Sequence, residues 1–96
     1  MKASDLRCWD NGGKTIDRYT VLPPRGTAGR DLWRKGKKVT TVLEGIGACA
    51  LPFHQQGFGQ TVEATPGDHL GKRIKFEALP GDVQRFARRH FDIKEN

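Results

Sequence analysis

The chain has 96 residues, 35% of them hydrophobic, with 12 glycines and 5 prolines, and a mean hydropathy of −0.66; that is enough for one lean core, so residues 1–96 are expected to form a single domain. Seventeen Lys and Arg against 11 Asp and Glu leave a net charge of +6, a balance that favours polyanionic partners without specifying a fold. No apolar run approaches the ~18 residues of a membrane span, the start Met1-Lys2-Ala3-Ser4-Asp5 lacks the apolar core of a signal peptide, and the two cysteines, Cys8 and Cys49, allow one bridge at most. No membrane role is expected. A reduced, cytoplasmic setting is, with both thiols acting as small buried hydrophobes.

In chain order, Leu6-Arg7-Cys8-Trp9 reads as a first strand, and Asn11-Gly12-Gly13 as a turn whose residues tolerate positive φ. Thr15 to Leu22 reads as a returning strand, rich in β-branched residues. Neither of its faces is cleanly apolar, which places Asp17 and Arg18 in a polar network; Asp17 is expected to pair with Arg18 or with a nearby backbone donor. Pro23-Pro24 ends the strand, and Arg25 to Arg30 forms a loop. Leu32-Trp33 is expected to pair with the central strand Val39 to Ile46 across a Lys35-Gly36-Lys37 turn.

From Gly45 to Gly67 periodicity fades. Leu51 to Gln60 reads as an ordered loop pinned by Phe53 and Phe58, and Thr61 to Ala64 as a short strand. After the Pro66-Gly67-Asp68 turn, Leu70, Ile74 and Phe76 alternate with charge as in an edge strand. A helix is expected from about Pro80 to Phe91: proline suits its first turn, Asp82 favours its dipole, and Leu79, Val83, Phe86, Ala87 and His90 or Phe91 recur on one face. Ile93 to Asn96 is expected to fray. The fold class is therefore α+β, a small antiparallel β-sheet of four to five short strands with one C-terminal α-helix packed on it.

The charge is not evenly spread. Residues 1–24 and 61–96 each carry a net +1, whereas residues 25–60 carry six basic and two acidic side chains. Arg25, Arg30, Arg34, Lys35, Lys37 and Lys38, interleaved with Trp33, suit a phosphate backbone with the indole stacked on a base. A basic hairpin is also a shape that enters a groove. The plainer reading is a soluble turn whose charges discourage edge pairing. Lys72 and Arg73 on the late strand, with Lys75, and Arg85, Arg88 and Arg89 on the helix, make a second basic set. It would join the first only if the helix packed beside the hairpin.

Other chemistry is weaker. Cys8, Cys49, His54, His69 and His90 lack paired metal-ligand spacing, so no metal and no cofactor is expected. Asp10, Asp17, Glu44, Glu63 and Asp68, with Lys72 or Lys75, are the residue types of a two-metal nuclease, but nothing in their spacing makes them converge. Gly57-Phe58-Gly59 lacks the strand–loop–helix context of a phosphate loop. A non-catalytic protein is expected.

Three segments carry a likeness: Asp10-Asn11-Gly12-Gly13 with Thr15 and Asp17-Arg18-Tyr19-Thr20; Pro52-Phe53 with Gly57-Phe58-Gly59-Gln60; and His69-Leu70-Gly71-Lys72-Arg73-Ile74 with Phe76, Leu79-Pro80 and Asp82-Val83-Gln84. In this order they resemble a family of small bacteriophage and bacterial proteins. The likeness covers roughly half the chain and omits the basic stretch between Pro23 and Cys49. It implies a phage or mobile-element setting, hence a host-cell cytoplasm, and carries over no activity or catalytic residue. Small accessory proteins of that setting bind nucleic acid or inhibit a host complex. The leading expectation is sequence-independent binding of DNA or RNA through the basic hairpin. The alternative is a protein-binding inhibitor of a host protein or nucleoprotein complex, an anti-defence (anti-CRISPR-like) role, for which Trp33, Phe53 and Phe58 are candidate anchors.

Overall fold

The computed structural model describes residues 1–49 and 59–93. It is an α+β fold, a six-stranded sheet with one helix on it. Strand β1 (Arg7–Asp10) pairs antiparallel with β2 (Tyr19–Leu22), placing Trp9 opposite Thr20 and Cys8 opposite Val21. The strand read from Thr15 starts at Tyr19. Before it the backbone folds on itself, because the Arg18 N–H donates to the Ile16 carbonyl (2.9 Å) and Thr15 Oγ1 to the Asp17 carbonyl (3.1 Å). Ile16 accordingly projects outward, 45% exposed.

Pro23 ends β2 as expected, since it has no N–H for the ladder. Strand β3 (Arg30–Arg34) then pairs with β4 (Lys37–Ala48) through a two-residue turn. Lys35 and Gly36 both have positive φ, 54° and 77°, the signature of a type I′ hairpin that matches the strands' twist. The register shifts between Leu32 and Trp33, so that Val39 is an extra residue on β4, a β-bulge. Strand β4 spans 12 residues in two regimes. Its first half, to Val42, pairs with β3; Ile46 to Ala48 lie between β2 and β5 (Gly59–Ala64). The hairpin is thus a two-stranded ribbon extending from a wider sheet, and the molecule measures 42 × 30 × 21 Å.

At the far edge β6 (Lys72–Ile74) pairs with β1, giving the order β3-β4-β2-β1-β6 with β5 beside β4. The late strand ends at Ile74. Phe76 sits in a 3-10 turn over Phe76–Ala78 and is buried. Helix α1 (Gly81–His90) follows Pro80, whose carbonyl accepts the Gln84 N–H (3.0 Å). Its apolar stripe, Val83 and Ala87 with Leu79 and Phe76, packs on Cys8, Val21, Ile46 and Ala48 of the sheet.

The expected fraying at Ile93 does not occur. Asp92 takes a left-handed φ of 53°, its N–H meets the Arg89 carbonyl (3.3 Å), and the Ile93 N–H meets that of Arg88 (2.8 Å). This is a Schellman cap with Asp in place of the usual Gly, and it tucks Ile93 into the core at 9% exposure. On the sheet's opposite face Trp9, Leu22 and Leu43 form a second, smaller cluster with Ala64 and Leu70.

Candidate nucleic-acid interface

Four cationic residues lie at the hairpin turn, Lys35 within it and Arg34, Lys37 and Lys38 beside it. Arg34, Lys35, Lys37 and Lys38 are all exposed, and among the described residues none of them is ion-paired to a carboxylate. Next to them on β3 the indole of Trp33 is 65% exposed, and the bulge residue Val39 is 63% exposed. Among the described residues Trp33 belongs to neither hydrophobic cluster, and its ring lies exposed beside these cations. The bulge supports this display, since an extra residue twists the ribbon and re-aims its side chains. The one acid on the ribbon, Asp31, accepts from Thr41 Oγ1 at 2.6 Å across the strands.

The remaining basic residues expected from the sequence divide in four ways. Arg30 is already spoken for: it makes a two-pronged contact with Glu63, both bonds 2.8 Å. That contact raises the proton affinity of the Arg30 guanidinium and holds the Glu63 carboxyl below its ordinary range. Lys72 and Arg73 lie on β6, four strand spacings from β3 in the sheet order, or about 19 Å at ~4.8 Å per strand. Arg85 is paired with Asp82 within α1, and Arg89 is exposed near the end of the helix.

The helix does not reach the hairpin turn. It packs where β4 meets β5, with the Phe86 ring over Gly59 and His90 Nε2 3.8 Å from Glu44 Oε1. The two basic sets therefore face different parts of the molecule. Arg25, in the loop after β2, lies near Arg7 instead, and its charge together with that of Arg73 acts on the Arg7 guanidinium. Arg7 was not singled out by sequence, because it stands alone among apolar neighbours. Only the β1–β6 pairing, joining segments far apart in the chain, brings Arg73 beside it.

The Asp10–Thr20 stretch is structural in its contacts. Arg18 grips Asp10 through two bonds, 2.7 and 3.0 Å, which is the main reason the Asp10 carboxyl sits below its ordinary range. Asp17 does not pair with Arg18; its carboxylate accepts from Gln60 Nε2 on β5 at 2.9 Å. Asn11 organises the loop. Its Oδ1 accepts the N–H groups of Gly13 and Lys14, and its Nδ2 donates to Thr15 Oγ1 and the Asp17 carbonyl. Gly71, at φ 116°, lies so close to Asp10 and Asn11 that a Cβ there would stand 2.4 Å from the Asp10 carbonyl oxygen.

Four of the five candidate acids thus have a neighbour each: Asp10 has Arg18, Asp17 has Gln60, Glu63 has Arg30 and Glu44 has His90; the fifth, Asp68, opens the 3-10 turn Asp68–Leu70. Among the described residues no three His, Cys, Asp or Glu side chains gather as a metal site would require. Cys8 and Cys49 are both buried, and burial pushes the Cys8 thiol up to about 12. His54, Phe53 and Phe58 lie outside the described residues. Among the described residues no helix is long and apolar enough to cross a membrane. No family model, curated protein or solved structure matches the chain.

Proposed function

We propose that this protein binds nucleic acid, without catalysis, through the β3–β4 hairpin. The observation that carries the reading is the pairing of an exposed Trp33 with four cations, Arg34, Lys35, Lys37 and Lys38, that lack carboxylate partners among the described residues. Lysine and arginine side chains at this density neutralise backbone phosphates and release counterions. The indole adds a stacking platform that accepts any base. Two antiparallel strands are narrow enough for a major groove about 12 Å wide. The residues offer charge and a flat ring rather than a donor–acceptor pattern for base edges, so recognition is by backbone and largely independent of sequence.

Fluorescence anisotropy with labelled duplex and single-stranded oligonucleotides at low salt tests this. Wild type is expected to bind, and the variant with Lys35, Lys37 and Lys38 all changed to Glu to lose binding. If neither oligonucleotide binds the wild-type protein at low salt, the proposal fails. A pull-down from nuclease-treated bacterial lysate then examines the other use of the same surface, in which Trp33 anchors a host protein.

A further inference from the structure

A second cationic group lies away from the hairpin, on the sheet face opposite α1. Trp9 is buried there, 4% exposed, and Arg73 is its register partner on β6, with the guanidinium carbon 5.1 Å from the ring centroid. Arg7 precedes Trp9 by two residues on β1 and so shares its face. The Arg7 Nε donates to the Pro23 carbonyl at 2.9 Å, which ties it to the turn that carries Arg25. Burial, Arg73 and Arg25, in that order, all lower the proton affinity of Arg7, and among the described residues no carboxylate offsets them. Among the described residues none of the three arginines is ion-paired. Arg73 is also one wall of an open cleft of about 430 Å³ lined by Ser4, Leu6, Ile74, Lys75, Phe76 and Glu77, which neither Arg7 nor Arg25 lines, and Glu77 forms no salt bridge with Arg73.

Like charges held together by a fold repel unless an anion sits among them. Guanidinium groups match the geometry of phosphate oxygens, which accept two parallel N–H bonds from each. We propose that Arg7, Arg25 and Arg73 form an oxyanion subsite on the helix-free face that takes a phosphate group. The subsite does not depend on the hairpin reading, because its residues lie across the sheet from the β3–β4 turn.

The test uses the full chain carrying Trp33→Phe, which leaves Trp9 as its one indole. Inorganic phosphate is titrated against sodium chloride of equal ionic strength, following Trp9 fluorescence and the unfolding midpoint; adenosine monophosphate forms a second arm, separating a free ion from a nucleotide as the source. Phosphate or the nucleotide is expected to give a saturable change and to raise the midpoint. Arg25→Gln, in an exposed loop, is expected to weaken binding about tenfold, the loss of one charge-assisted contact. The same variant is expected to unfold at a higher temperature than its parent in low salt without phosphate, since a like charge is gone. Arg73→Gln should weaken binding similarly, and Lys14→Gln, on the exposed loop between β1 and β2, should leave it unchanged. Should Arg73→Gln fail to fold, Arg25→Gln still decides the matter. A response no larger than that to chloride, or equal affinity in Arg25→Gln and its parent, would overturn the proposal.

Discussion

Asp10 and Arg18 show how one ion pair governs a loop. Their two bonds close the 11–18 loop at its base, beside the Asn11 N–H to Arg18 carbonyl bond (3.0 Å). The folded state holds the Asp10 proton more weakly than the ordinary value of 3.8, chiefly because of the Arg18 hydrogen bond. A depressed carboxyl contributes stability above its unfolded pKa, and that contribution is lost as pH falls through the folded value. Asp10→Asn is therefore expected to unfold at a lower temperature than wild type near neutral pH and to show a shallower decline into acid. Thermal melts across the acid range check this; parallel curves for the two proteins would contradict it.

Cys8 makes a separate point about reactivity. Its thiol is fully buried and pushed up to about 12, with burial the leading cause, and the thiolate is the nucleophile. Iodoacetamide at neutral pH is expected to modify Cys8 only after denaturant is added. Mass spectrometry of the native protein that found Cys8 alkylated at the rate of a free thiol would refute the packing described for β1.

Among the elements, the β1–β2 connection and β6 are fitted to each other through Gly71. A Cβ there would meet the Asp10 carbonyl oxygen at 2.4 Å and the Asn11 Cα at 2.6 Å, and φ is 116°. Gly71→Ala is expected to cost about 1–3 kcal/mol in denaturant unfolding. Gly12 and Gly13 also have positive φ but open space around them, so alanine at either carries only the backbone strain, roughly 1–2 kcal/mol. A Gly71→Ala variant no less stable than Gly12→Ala would contradict this fit.

This contrast also marks what the sequence disclosed. The Lys35-Gly36 turn, the Pro23 stop and the Val83–Ala87 stripe are local signals, and the structure follows them. The start of β2, by contrast, was set by Asn11, which draws Thr15 and Asp17 into a loop that β-branched composition had suggested was strand. The cap at Asp92 carries no glycine to announce it. Gln60 with Asp17, and Arg7 with Arg73, meet only through non-local strand pairing, which no local pattern encodes.

Taken as a whole, the molecule keeps the hairpin's cations apart from its packed layers. Helix α1 covers the sheet where β1, β2 and the second half of β4 run side by side, and the ribbon beyond Val42 contributes little to the core. Charge reversal there is expected to leave the unfolding midpoint close to wild type, since exposed residues away from caps and buried contacts shift stability by about 0.5 kcal/mol or less. This separation lets binding be altered without loss of fold. Trp33→Ala, on the same ribbon, is expected to weaken single-strand binding by about 1–3 kcal/mol through lost stacking, read by anisotropy at constant salt.

The central claim is that the hairpin cations contact phosphates, and the salt dependence of duplex binding tests it most directly. With Arg34, Lys35, Lys37 and Lys38 engaged, log K against log salt is expected to fall with a slope of about −3.6, at ~0.9 per neutralised phosphate. The folded variant with Lys35, Lys37 and Lys38 changed to Glu is expected to show no measurable binding over the same range. A flat wild-type profile, or a charge-reversed protein that binds with the wild-type slope, would place the working surface elsewhere.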